Sequence, residues 1–124
     1  MPLTARLRDE ENERINNILK RLIGLDDVPE MGDNSIDQIL NEIDLTFEML
    51  SDLSPEDVVL HLKKFNFDWV NAEQFGDFLV SVSNWPNENS AHWKQKAIAI
   101  YNYIQSESKV FSFQIAQKIK RIVL

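Results

Sequence analysis

The chain has 124 residues, a net charge of −7 at pH 7 and no cysteine. That length suits one domain around a single core, and the missing cysteine excludes disulfides, thiolate zinc sites and cysteine nucleophiles. A hydrophobic content of 44% is enough to fold, whereas the acidic balance argues against general affinity for nucleic acid or an anionic membrane.

The opening MPLTARLRDEENER is broken by charges and lacks the apolar run of a secretory signal. No window reaches the apolar length of a membrane span, so a cytoplasmic protein is expected. Thr4 to Ile23 reads as the first helix, capped by Thr4, with Ile15, Ile18, Leu19 and Leu22 on one face. Gly24 follows as a left-handed stop, with Leu25 as its apolar contact. The pattern delimits an N-terminal helix (1–25) and an acidic linker (26–34, DDVPEMGDN) rich in turn formers.

Residues 35–65 read as an acidic helical pair. Ser35 and Gln38 have the spacing of a capping box, and Ile36, Leu40, Ile43, Phe47 and Leu50 form one stripe, widened by Ile39 and Met49. Ser54-Pro55-Glu56-Asp57 starts the next helix with a cap, a proline at the first helical position and acids facing the dipole. Val58, Val59, Leu62 and Phe65 are its buried side. Residues 71–124 hold a helical hairpin and a final helix. Asn71 with Gln74 suggests a start, Phe75, Phe78, Leu79 and Val82 a face, and Gly76 within that face a close helix approach. After the turn-rich Asn84 to Asn89, Ser90 to Ile104 resumes helical spacing through Trp93, Ala97, Ile100, Tyr101 and Ile104. Ser112 caps a last helix carrying Ile115, Ala116, Ile119 and Ile122 or Val123. Residues 79–83 and 109–113 alternate as strands do, but both are short and glycine is scarce. The expectation is an all-α compact bundle of six helices with no sheet.

Charge is uneven. Leu22 to His61 carries eleven acids and no lysine or arginine, whereas Lys118, Lys120 and Arg121 cluster in the last helix. The acidic stretch reads first as a solvated face, and second as a docking surface for a basic partner. As a calcium loop the linker fails, because Pro29 and Met31 occupy ligand positions.

The residues offer little chemistry. His61 and His92 each follow a carboxylate by four residues, Asp57 and Glu88, a spacing that makes a helical surface pair. No zinc-protease or Glu-x-x-His spacing occurs. Glycine stands only at 24, 32 and 76, which excludes a phosphate loop and a nucleophile elbow. No catalytic residue, cofactor or metal ligand is assigned, and the chain is expected not to be an enzyme. The aromatics concentrate in the second half and read mainly as core. Residues 65–93 carry no lysine or arginine, so base stacking lacks its cations.

Residues 75–104 resemble one tetratricopeptide-type helical hairpin. Phe75-Gly76 followed by Leu79 matches the large-Gly-x-x-large pattern of a first helix, and Ser90 and Ala97 stand where the second prefers small residues, before the Ile98 to Tyr101 turn. The loop is about two residues longer than the family's, a serine replaces one alanine, and no second copy follows. The run Lys96 to Ile104 with Ser112-Phe113, and more distantly Leu22-Ile23-Gly24-Leu25, is also similar to a small uncharacterised bacterial all-helical family. That resemblance implies a compact helical domain with a tetratricopeptide-like half and carries no activity.

The functional expectation is a non-catalytic module that binds another protein. Candidate contacts are Trp85, Trp93 and Tyr103 for apolar packing and Asp37, Asp44 and Glu48 for charge. The alternatives are an acidic, immunity-type inhibitor covering a basic protein surface, and a structural subunit that self-associates through its N-terminal helix.

Overall fold

A computed structural model describes residues 3–24, 35–86, 88–109 and 111–123, with side chains described from Glu10 onward. The described residues form seven α-helices and no strand: α1 (Leu3–Ile23), α2 (Ser35–Leu40), α3 (Phe47–Asp52), α4 (Pro55–Lys64), α5 (Trp69–Ser83), α6 (Ser90–Glu107) and α7 (Phe113–Val123). A 3₁₀ turn, Asn41–Ile43, follows α2 directly. The antiparallel α5–α6 hairpin is the centre of the fold. Helix α1 packs on α5, α4 and α7 pack on α6, and α2 lies against α1.

The periodic faces are the buried faces. Ile15, Ile18, Leu19 and Leu22 of α1 join Phe75, Phe78, Leu79 and Val82 of α5 and Trp93, Ala97, Ile100, Tyr101 and Ile104 of α6 in one core. At Gly76 two helices meet closely, because a Cβ there would stand 2.8 Å from Tyr101 Cε1. The Tyr101 ring is itself fully buried, so it cannot swing aside. Glycine at 76 is therefore a packing requirement despite its cost in helix propensity of about 1 kcal/mol.

Several helix ends differ from the sequence pattern. The single helix expected from Ser35 through Leu50 breaks into α2, the 3₁₀ turn and α3. Asp44 adopts a left-handed conformation (φ 57°). Its N–H donates to the Asn41 carbonyl (3.1 Å), while the Leu45 N–H donates to Leu40 (3.0 Å). These are the paired bonds of a Schellman stop, closed by buried Leu45 against buried Leu40. Thr46 then caps α3, its hydroxyl accepting from the Met49 N–H at 3.1 Å. The break turns Leu45 inward and leaves Met49 exposed rather than in the stripe. Helix α4 ends the same way: Asn66 is left-handed (φ 59°), its N–H donates to Lys63, and the buried Phe67 donates to Leu62.

Gly24 is not the left-handed stop that its residue type suggests; its φ lies outside that region and its N–H still donates to Lys20 as in the helix. The α5 cap is Asp68, not Asn71: its carboxylate accepts from the Asn71 N–H at 2.7 Å. For α6 the cap is Asn89. Ser54 and Ser112 cap α4 and α7 as their positions predict. Helix α1 starts at Leu3, one residue before Thr4. The linker 26–34, Leu25 and the Thr4 side chain lie outside the described residues.

Candidate functional site

The six candidate contact residues fall into two places. Asp37, Asp44, Glu48, Trp85 and Trp93 gather around Phe47, at the start of α3. Its N–H donates to the Asp37 carboxylate at 2.7 Å, and its ring stacks on Trp85 and Trp93 at 5.9 and 5.2 Å. Asp37 is thus spent on a backbone N–H. Asp44 serves a backbone turn, with its side chain exposed, and Glu48 is exposed. Trp85 is half-buried and edge-on to Phe78.

Trp93 cannot contact a partner. It is 0% exposed, and its indole N–H donates to Glu88 at 2.9 Å. Its place on the regular α6 stripe and the polar handle of its indole make it a core ring. Tyr103 lies ten residues further along α6, about 15 Å at helical rise. Its ring tilts against Trp69 at 5.5 Å, with the Lys63 ammonium 5.1 Å above it.

That second place is an apolar end face. Trp69 and Val70 open α5 and are exposed. Two residues beyond Tyr103, the Gln105 side chain donates to the Ser112 carbonyl (2.8 Å) and accepts from the Ser112 N–H (2.9 Å). Phe111 and Phe113, on either side of this pinned serine, are 73% and 69% exposed. Helix α7 then packs on α6, and its Lys118 reaches both Glu73 and Asp77 of α5. Periodicity could not find this face, since Trp69 follows a cap and Phe111 precedes a helix.

Both histidines do something other than form surface pairs. His61 Nε2 lies 2.6 Å from the Ile43 carbonyl, and His92 Nε2 lies 2.7 Å from the Ser51 carbonyl. A carbonyl only accepts, so each ring is protonated at Nε2 and donates. The two carbonyls sit at the ends of the 3₁₀ turn and of α3, where helices leave acceptors without partners. Each ring is a C-terminal cap supplied from another helix, and together they tie the 3₁₀ turn to α4 and α3 to α6.

Beside His92 stands a buried amine. Lys96 is 0% exposed, with Nζ 2.5 Å from His92 Nε2 and 5.4 Å from the Trp93 ring. Burial pushes its pKa below the ordinary lysine value, with Asp52 pulling the other way. With its one proton given to the Ser51 carbonyl, Nε2 has no lone pair left to accept from Lys96, so the short Nζ–Nε2 approach is not a second hydrogen bond donated by the amine. On α5, the side chain of Asn71 is 1% exposed and both of its polar atoms lack a partner among the described residues.

The other polar cluster lies between α5, α6 and α7. The Tyr101 hydroxyl donates to Asp77 at 2.5 Å, and Lys118 donates to Asp77 at 3.0 Å and to Glu73 at 2.5 Å. Burial and the Asp77 hydrogen bond push the Tyr101 phenol far up. Burial alone would lower Lys118, but the two carboxylates outweigh it and raise its pKa. No group of three or more His, Asp or Glu side chains among the described residues is arranged to hold a metal ion. No helix among them is long and apolar enough to cross a membrane. Compared with protein-family models, curated proteins and solved structures, the chain matches none.

Proposed function

We propose that the chain is a non-catalytic protein–protein interaction module, and that its partner docks on the end face of Trp69, Val70, Phe111 and Phe113, with Tyr103 at the rim. The observation that carries this reading is the exposure of Phe111 and Phe113 on both sides of a serine held by two hydrogen bonds. Large exposed apolar side chains grouped in one place are the mark of an interaction surface. Aromatic rings on an ordered backbone are also the anchors that interfaces favour, because little conformational freedom is lost on binding. The tetratricopeptide-like reading of α5–α6 belongs to the same proposal, supported by the close approach at Gly76. The acidic stretch from Leu22 to His61 supports a second reading, an inhibitor that covers a basic protein surface by charge.

The test compares wild type with the Phe111→Ser/Phe113→Ser double variant in capture from cells that express the protein. Neither ring is buried, so the melting temperature is expected to hold. A partner recovered by wild type, retained in high salt and lost with the double variant supports docking on the end face. Recovery that ignores the double substitution but collapses in high salt overturns it in favour of the charge-driven reading. Sedimentation of wild type and of a version lacking residues 1–14 separates self-association from both.

A further inference from the structure

Where α7 lies along the hairpin, a cleft of about 390 Å³ opens between the second half of α5, the start of α6 and the last turns of α7. Small-molecule sites have volumes of about 300–1,000 Å³. Val80 and Ile122 give this cleft apolar wall, and Lys94, Lys118 and Arg121 bring three cations to it against one carboxylate, Asp77. That carboxylate is already engaged, accepting from the Tyr101 hydroxyl and from Lys118. Lys94 and Arg121 have no acidic partner among the described residues, although the chain carries 20 acids to 13 lysines and arginines. Two cations left unpaired beside a third, in a concave site with apolar wall, form an arrangement that favours an anion.

We infer that this cleft binds a small organic anion, its phosphate or carboxylate group held by Lys94 and Arg121 and its apolar body lying against Val80 and Ile122. Asp77, Tyr101 and Glu73 hold Lys118 in place from behind. The two carboxylates keep its ammonium charged, so it adds positive potential rather than a free hydrogen-bonding arm. The net charge of −7 repels long polyanions, so a small molecule suits the site better than a nucleic acid. The cleft shares no lining residue with the aromatic end face, and neither inference depends on the other.

The test is a titration of the full-length, ¹⁵N-labelled protein, followed by amide chemical shifts. Four probes are used: phenyl phosphate, benzoate, inorganic phosphate and uncharged benzyl alcohol. One of the two organic anions is expected to saturate a single site, shifting the amides of Val80, Asn84, Lys94 and Ile122, and the tighter of the two identifies the anionic group. Inorganic phosphate and benzyl alcohol are expected to bind at least about tenfold more weakly, each lacking half of the recognition. Arg121→Met and Lys94→Met should each weaken binding by about tenfold or more, the usual loss for a charge-assisted contact. Arg121 is exposed and Lys94 half-buried, and an unchanged melting temperature verifies the fold. Lys63→Met, on the Tyr103 side, should leave affinity unchanged. The proposal is overturned if neither organic anion saturates, if benzyl alcohol binds as well, if either cleft variant retains full affinity, or if Lys63→Met weakens binding equally.

Discussion

The acidic segment (35–65) and the α5–α6 hairpin are both helical, yet they are held together by different physics. The hairpin is two long helices meeting through apolar faces, with one glycine setting the distance between them. The acidic segment is three short helices and a turn whose ends are closed by left-handed residues and by two imidazoles, His61 from its own last helix and His92 from α6. Helices of about six residues are unstable alone, so such a segment depends on whatever satisfies its free carbonyls. Periodic packing makes the first region strong, and polar capping at a distance makes the second specific.

Substitutions can break or sharpen this contrast. The largest effect is expected at Gly76→Leu, which drives a side chain into the immobile Tyr101 ring. Overpacking of this kind costs about 3 kcal/mol, measured by denaturant unfolding, and a near-neutral result would remove the close crossing from the account. Next come His61→Ala and His92→Ala. Each leaves a helix-end carbonyl without its donor, at about 1–2 kcal/mol apiece, with faster amide exchange in residues 35–53 and little change in 75–104.

A smaller gain is expected from Asp44→Gly and Asn66→Gly. Glycine removes the left-handed penalty, about 1 kcal/mol for a residue with a Cβ, offset in part by its greater freedom in the unfolded chain. Thermal melts should move upward by a few degrees at most. Destabilisation at both positions would show that the Asp44 and Asn66 side chains do more than turn the chain.

Lys96→Met is the subtlest. Replacing a buried amine by an apolar chain of similar volume is expected to be neutral or stabilising by about 1 kcal/mol. Its signature is in pH. The folded amine has a lowered pKa, so the unfolded chain binds that proton more tightly. Stability from this group therefore rises as pH climbs from the lowered value towards the ordinary lysine value of about 10.4. Tyr101 and Lys118 have raised values and act oppositely, so their contributions fall as pH rises above about 10. Unfolding measured across this range should lose its rising component in Lys96→Met and part of its falling component in Tyr101→Phe.

What could be read from the sequence follows the same division. The faces of α1, α5 and α6 were legible because a 3.6-residue period needs only one helix to be seen. The start of α4 was legible because Ser54 and Pro55 act locally. The break at Asp44 was not, since aspartate adopts the left-handed region less readily than glycine and gives a weaker signal. Gly24, which has that signal, ends α1 without adopting the left-handed conformation. The histidine caps were hidden because their carbonyls lie 18 and 41 residues away in sequence. The spacing to Asp57 and Glu88 pointed to the wrong partners. Lys96 does stand on the Trp93–Ala97–Ile100 stripe, three residues from Trp93 and four from Ile100, but its charge disguised a core position. The end face escaped because Phe111 and Phe113 read as core aromatics until Ser112 was seen pinned to Gln105. The cleft escaped because its cations come from two helices and one of its walls from a third.

The central claim is that two imidazoles cap the helix ends of the acidic segment through Nε2–H. Long-range ¹H–¹⁵N spectra of the histidine rings at neutral pH test it most directly. The account predicts that His61 and His92 are both protonated at Nε2, with those protons protected from exchange by the Ile43 and Ser51 carbonyls. A ring found unprotonated at Nε2, or one whose Nε2 proton exchanges as freely as that of a solvated histidine, would contradict it.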